Sequence, residues 1–231
     1  MSVRKVLIFG LGSIGSRHAR NLRALRPDCE IVCADPKDVR LWGFNPEGTM
    51  ALLDNSISLY TNWRDALHAH PDADAAIVAS PTVAHVDQMI DLAMVGIRFY
   101  VEKPVMTLSD FAKSSLVGSG YLSDCALGYQ YRFHRAVMDT ALGIRRGRRV
   151  FFSAHDDLLV RYGPDCLSVI AAHPIDTALY LLGPALDIDM ETDGYMVYGT
   201  IEHEGGVSHH DYRIDIGPRK STIRAAGEMS V

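Results

Sequence analysis

Three glycines and one carboxylate carry the first chemical signal. Gly10, Gly12 and Gly15 stand in the spacing Gly-x-Gly-x-x-Gly within Lys5–Gly15, KVLIFGLGSIG. Gly10 allows a tight turn, Gly12 lets the backbone approach a pyrophosphate, and Gly15 lets a helix pack close to the preceding strand. The N–H groups of the helix start, at Ser13 and Ile14, then face the phosphates together with the positive end of the helix dipole. Asp35 lies twenty residues beyond Gly15. A carboxylate there accepts both ribose hydroxyls of an adenosine and repels a 2′-phosphate. The pattern describes a dinucleotide site that favours NAD over NADP, with Lys37 close enough to soften the preference. The competing explanation is a glycine turn in an unrelated α/β sheet.

The elements that must position these groups are legible around them. Val6-Leu7-Ile8-Phe9 reads as a buried parallel strand. Ser16–Leu22 continues as a helix, and Ile31–Ala34 is a second apolar strand ending at Asp35. Residues 36–60 are less regular, with a turn at Trp42–Pro46 and a short helix at Met50–Leu53. Asn62 can N-cap a helix, with Asp65 in the capping-box position. Ala75–Ala79 is a strand followed by Ser80-Pro81-Thr82, Val86–Val95 a helix stopped by Gly96, and Arg98–Val101 a strand ending in Glu102-Lys103-Pro104. This alternation predicts an α/β fold, an N-terminal doubly wound parallel sheet. Ligands of such sheets bind at the carboxyl ends of the strands, where Gly10, Asp35, Ser80, Glu102 and Lys103 all fall.

Composition excludes several classes. The chain has 231 residues, 48% hydrophobic and 22% charged, with net charge −5. It offers no basic field for nucleic acid or an anionic membrane surface. Four cysteines show neither a CxxC pair nor zinc spacing, so reduced cytoplasmic thiols are expected and no metal site is expected. The start of the sequence enters a strand without a signal peptide, and no apolar run reaches membrane-span length.

After about residue 118 the pattern changes. Asp124–Phe133 reads as a strand, Arg135–Leu142 as a helix, Arg148–Ala154 as a strand and Pro174–Leu182 as an amphipathic helix closed by Gly183. Met190–Ile201, Val207–Ile216 and Ser221–Ala226 alternate like antiparallel strands. The expected division is an NAD-binding domain over 1–118 and a second, shortened α+β domain of mainly antiparallel sheet over 119–231.

Taken together the motifs resemble the glucose–fructose oxidoreductase, inositol dehydrogenase and MocA (Gfo/Idh/MocA) family. The resemblance runs through Gly10–Leu22, Trp63–Leu67, Ala79-Ser80-Pro81 with His85, Glu102-Lys103-Pro104, Gly128–Phe133, and His173-Pro-Ile-Asp176 with Tyr180–Gly183. It implies a Rossmann domain followed by an α+β domain whose open sheet often mediates homo-oligomerisation. It also implies hydride transfer between a nicotinamide and a sugar, sugar-nucleotide or cyclitol-like substrate. Lys103 corresponds to the family's active-site lysine and His173 to its active-site histidine. Two departures stand out. The family's aspartate, three or four residues before that histidine, is replaced by Ile170 and Val169, and Asp165 does not fit the spacing. The second domain is also expected to lack the family's final strands and closing helix. A dinucleotide-binding scaffold or sensor without turnover is therefore the alternative.

Within that frame, His173 suits proton transfer because its ordinary pKa is near neutrality. Lys103 would sit beside the nicotinamide and stabilise negative charge on the reacting oxygen. The plainer roles are a solvated Lys103 paired with Glu102 and a helix-capping His173 before Pro174. Asp176 is expected in the first turn of that helix, facing its dipole. Tyr129 and Arg132 either reach the substrate or pack between domains. His85 either starts a helix or lines the cofactor cleft. His68, His70, His203, His209 and His210 are expected at the surface, and Arg145–Arg149 is expected as a solvated turn.

Overall fold

Val6, Leu7, Ile8 and Phe9 are all buried, because both faces of their strand are covered. The computed structural model describes residues 3–37, 57–106, 125–143, 148–155, 166–192, 196–213 and 220–226. The turn and helix expected at 42–53, Asp165 and residues 145–147 lie outside them. The chain divides into two compact units, Met1–Gly128 and Tyr129–Val231.

In the first unit six strands form one parallel sheet. They are β1 (Lys5–Phe9), β2 (Glu30–Ala34), β3 (Ile57–Tyr60), β4 (Ala75–Val78), β5 (Arg98–Val101) and β6 (Cys125–Leu127), in the order β3-β2-β1-β4-β5-β6. The order reverses direction at β1 and β4, which opens a crevice at their carboxyl ends. Helix α1 (Ser13–Leu25) packs Ala19 and Leu22 against Val6, Ile8, Ile31 and Cys33. Helices α2 (Trp63–Ala69) and α3 (His85–Met94) cover the other face, where Ala66, Leu67, Val86, Met89 and Leu92 meet Leu7, Phe9, Val32, Val78 and Val101. This two-sided burial explains why the strands read as continuous apolar runs. Burial drives the Cys33 thiol up to about 12, so it packs as a small apolar group.

Two expectations change here. Residues 57–60 form an edge strand, which the partly exposed sequence ISLY does not announce by its polarity. The strand expected over 124–133 is only Cys125–Leu127, and Gln130–Phe133 turns as a 3-10 helix. Strand β6 pairs with β5, and the first unit ends at Gly128.

The second unit holds α4 (Arg135–Gly143), α5 (Cys166–Leu182) and strands β7 (Arg148–His155), β8 (Ala185–Thr192), β9 (Met196–His203), β10 (Gly206–Arg213) and β11 (Lys220–Ala226). Their order is β11-β7-β10-β9-β8. Neighbours are antiparallel except β7 and β10, which run parallel. The strand expected over Met190–Ile201 is two, the end of β8 and most of β9. One core joins Val137, Val150 and Phe152 to Ala178, Leu181 and Leu182, and another joins Ala171 to Tyr212. Helix α5 begins eight residues before Pro174, although the proline removes one i→i−4 hydrogen bond. In the turn before the proline, Ala171 is buried against Tyr212.

Candidate functional site

The carboxyl ends of the strands are tied down by backbone bonds. Gly10 N–H donates to Ala34 O at 2.8 Å, Ala79 N–H to Phe9 O at 2.8 Å, and Glu102 N–H to Val78 O at 2.9 Å. Gly10 has φ +88°, and a Cβ there would lie 2.6 Å from the Ser80 backbone. A Cβ on Gly15 would lie 1.8 Å from the Gly10 carbonyl oxygen. Both must be glycine for the protein's own packing. Gly12 differs, since a Cβ there would meet nothing within 4 Å. Its small size leaves room that a pyrophosphate can use. Gly12 N-caps α1 without a side-chain hydrogen bond, and the first turn, with Ser13 and Ile14 exposed, contains no acid. By contrast, Asn62 caps α2 by accepting from Arg64 N–H at 2.9 Å, with Asp65 in its first turn. The α1 terminus therefore fits an anion from outside.

Asp35 ends β2 with its N–H donating to Tyr60 O at 3.0 Å. Its Oδ2 accepts from Leu11 N–H at 2.7 Å and its Oδ1 from Lys37 N–H at 2.9 Å. Each carboxylate oxygen keeps acceptor capacity for a ribose hydroxyl. The residues present thus fit a dinucleotide.

Beyond β4, Ser80 Oγ donates to Gln88 Oε1 at 2.6 Å, and Pro81 is exposed at the start of a 3-10 turn. His85 is the first residue of α3 and only 1% exposed. Its Nε2 lies 2.8 Å from Ser80 O and its Nδ1 3.0 Å from Pro104 O. A neutral ring donates to one of these two carbonyls and only packs against the other, and neither nitrogen is turned free to the crevice. Beyond β5, the Lys103–Pro104 bond is cis. Glu102 Oε1 lies 2.8 Å from His18 Nε2 and accepts from Tyr100 O–H at 3.1 Å. Burial opposes the charge of Glu102, but His18, Tyr100 and the Lys103 N–H outweigh it and hold the carboxyl below its ordinary value. Burial and the Glu102 charge push the Tyr100 phenol up. Lys103 is half-buried beside this group.

The second unit gathers a separate cluster. His173 is buried in the interior of α5 and does not cap it. Tyr131 stacks on its ring at 4.2 Å and 12°, and Tyr129 meets it edge-on at 6.2 Å. Arg132 Nε donates to Asp176 Oδ2 at 2.8 Å, and its Nη2 to Oδ1, in a bidentate pair. The guanidinium also lies over the Tyr180 ring at 5.5 Å. Asp176 is thus an Arg132 partner in mid-helix, which replaces the first-turn role expected for it. Burial, with the nearby Asp176 charge, pushes the Tyr129 phenol up. Val169 and Ile170 stand one turn before His173 on α5.

Sequence reasoning missed His18, Tyr100, Gln88 and Tyr131. Only Tyr131 carried a signal, lying between Tyr129 and Arg132 in one aromatic-rich motif. The surface positions expected for His203 and His210 are also corrected, since both are buried. They line the inward face of their strands, where period-two alternation puts any side chain, polar or not. Among the described residues no group of His, Cys, Asp and Glu is placed to hold a metal ion, and no helix is long and apolar enough to cross a membrane.

The strand order, the glycine cradle and the acid at the end of β2 define a Rossmann-type dinucleotide-binding unit. Residues 4–117 match the GFO_IDH_MocA family, described as an oxidoreductase family with an NAD-binding Rossmann fold, and that part of the chain belongs to the family. It is 26% identical over 190 residues to scyllo-inositol 2-dehydrogenase (NAD(+)) of Bacillus subtilis (strain 168), which covers 76% of this chain and 53% of that protein. The chain thus spans about half the length of that curated relative. Its fold resembles the WlbA (WbpB) dehydrogenase of Thermus thermophilus, solved with NAD and UDP-GlcNAcA, at TM-score 0.76 and 15% identity, covering 96% of this chain and 81% of that one. It also resembles a myo-inositol dehydrogenase of Corynebacterium glutamicum ATCC 13032, at TM-score 0.78 and 21% identity, covering 98% and 73% respectively.

Proposed function

We propose that this chain is an NAD-dependent dehydrogenase or reductase acting on a CH–OH group of a sugar, sugar-nucleotide or cyclitol-like substrate. The observation that carries the reading is Lys103 at the end of β5, in the sheet whose other strand ends present Gly10, Gly12, Asp35 and Ser80. Similarity to an inositol dehydrogenase, and a fold shared with an enzyme solved with a sugar nucleotide, support the substrate class. When bound, the nicotinamide supplies the hydride donor or acceptor.

The chain's own residues divide the remaining work. Gly10, Gly12, Ser13, Ile14 and Gly15 cradle the pyrophosphate, and Asp35 holds the adenosine ribose. Ser80, Pro81 and Glu102 bound the cofactor, with His85 fixing the loops they stand on. The Lys103 ammonium stabilises negative charge on the reacting oxygen. His173 takes the hydroxyl proton in oxidation and returns it in reduction. Tyr129 orients substrate, with Arg132 set by Asp176. In the second unit, the open sheet face that exposes Phe151 and Tyr198 makes a homo-oligomer contact in the cytoplasm.

Val169 and Ile170 favour a second reading, a dinucleotide-binding scaffold or sensor without turnover, because the family resemblance expects an aspartate at one of them. One experiment separates the two. NAD binding is titrated by calorimetry, and turnover is followed in both directions with inositols and UDP-sugars. Lys103→Ala and His173→Ala are each expected to lower turnover by about 10²–10⁴-fold while NAD still binds. NAD binding without turnover of any substrate overturns the enzyme reading.

A further inference from the structure

Lys103 lies between two residues that are each held by a histidine from a different helix. On one side, His18 of α1 places Nε2 2.8 Å from Glu102 Oε1. The side chains are 25% and 14% exposed, so little water competes for the contact. The same carboxylate accepts from Tyr100 O–H at 3.1 Å and from the backbone N–H of Lys103 itself. On the other side, His85 of α3 places Nδ1 3.0 Å from Pro104 O and Nε2 2.8 Å from Ser80 O. His85 is 1% exposed, so its orientation is fixed by packing as well as by these contacts.

We infer that His18 and His85 are positioning residues that hold the turn carrying Lys103. His18 acts through the Glu102 carboxylate, which grips the Lys103 N–H. His85 acts through its contact with the Pro104 carbonyl, its other nitrogen lying against the Ser80 carbonyl; the neutral ring donates to one of the two and packs against the other. Three consecutive residues, Glu102 to Pro104, are thereby fixed against two helices and the end of β4. A strand-end loop without such ties is among the more mobile parts of a fold. A reacting group needs placement to well under an ångström, since a 1 Å error costs on the order of 10²-fold in rate. The inference rests on the reading of Lys103 as the group that meets the reacting oxygen.

The test compares His18→Leu, which keeps bulk but offers no donor, with His18→Gln, which restores an N–H for Glu102. His85→Leu is the matching variant on the other side. Two readouts are taken: kcat, and the ¹⁵N order parameter of the Lys103 amide without cofactor. Each Leu variant is expected to lower kcat by roughly 10–10²-fold. Each is also expected to drop the order parameter from about 0.85 towards 0.6. His18→Gln should recover both, with melting temperature unchanged across the His18 pair. Unchanged kcat and order parameter in both Leu variants overturn the inference. So does a loss that tracks melting temperature and that His18→Gln does not recover. If the wild-type chain turns over nothing, or Lys103→Ala leaves kcat intact, the catalytic reading fails instead. The order parameter then still decides whether the two histidines hold the turn.

Discussion

The two units place polar groups in opposite ways. The first keeps both faces of its sheet apolar and presents chemistry only at the strand ends, largely as backbone. The second runs a line of polar side chains through its core. His203 Nδ1 lies 2.9 Å from Gly183 O, and its Nε2 lies 2.8 Å from Ser208 Oγ. Ser208 Oγ lies 2.8 Å from His210 Nε2, and His210 Nδ1 meets Tyr212 O–H. The carbonyl at Gly183 can only accept, so His203 donates its Nδ1–H there. Ser208 then donates to His203 Nε2, His210 donates its Nε2–H to Ser208, and Tyr212 donates to His210 Nδ1. Every group is satisfied with the His210 ring neutral, which is what makes the burial tolerable. Burial, with His203 and His209 nearby, pushes His210 down to about 4, in keeping with that state.

The largest effect should come from breaking the backbone device of the first unit. Gly10→Ala forces a Cβ onto a residue at φ +88° and 2.6 Å from the Ser80 backbone. It should cost about 3 kcal/mol or more in urea unfolding. A Cβ at Gly12 meets no neighbour in the fold, so Gly12→Val should unfold near the wild-type midpoint yet bind no NAD in calorimetry. Equal stability losses for the two would erase the distinction between a glycine needed by the fold and one needed by the ligand.

Next comes the side-chain line. Ser208→Ala strands a buried acceptor on His203 and a buried donor on His210. At about 1–3 kcal/mol for each unpaired group, the expected loss is roughly 2–4 kcal/mol, read by the same denaturation. A loss below that of an exposed Ser→Ala change would mean that the line is not closed.

These two devices differ in how far the sequence announces them. The glycines act through backbone geometry, which needs particular residue types at fixed spacing, so Gly10, Gly12, Gly15 and Asp35 declare themselves. The parallel sheet is legible for a related reason, since burial on both faces leaves unbroken apolar runs. Ser208, His210 and Tyr212 alternate with other residues on β10 in the pattern of a half-exposed strand. Nothing local says which face is inward, so polarity suggested the wrong one. His18 is hidden likewise, since its partner Glu102 is eighty-four residues away. The start of α5 was misplaced because Pro174 is a strong local signal that tertiary packing overrides.

Acid should separate two of the buried histidines. His85 and His210 are both lowered from an ordinary value near 6.5, chiefly by burial. A histidine that stays neutral when folded contributes no pH dependence above pH 6.5. Below it the unfolded chain binds a proton that the folded chain refuses, so stability falls with pH. For His210 the window runs from 6.5 to about 4, and the loss reaches about 3 kcal/mol. His85 faces two carbonyls and the Glu102 charge, which partly offset its burial. His210→Gln should therefore flatten unfolding free energy between pH 6.5 and 4 more than His85→Gln does. The reverse ranking would show that the second unit tolerates a charge in its core.

The smallest expected effect tests whether the first unit's selectivity is electrostatic or merely structural. Asp35 both faces the crevice and steadies it, since Leu11 N–H and Lys37 N–H donate to its two oxygens. Asp35→Ala would remove charge and scaffold together and could not tell them apart. Asp35→Asn keeps an acceptor for one of those N–H groups while removing the charge that repels a 2′-phosphate. Its NADP-to-NAD affinity ratio should rise on the order of tenfold, about 1.4 kcal/mol. Lys37→Ala should move the ratio the other way, by less, because an exposed lysine is screened. Raising the salt from 0.01 M to 1 M should shrink the wild-type preference, since screening lengths fall from about 30 Å to 3 Å. Calorimetry with both nucleotides reads all three. A wild-type chain that binds NADP as tightly as NAD, or an Asp35→Asn variant with an unchanged ratio, would assign Asp35 to holding the glycine loop and leave selectivity to another group.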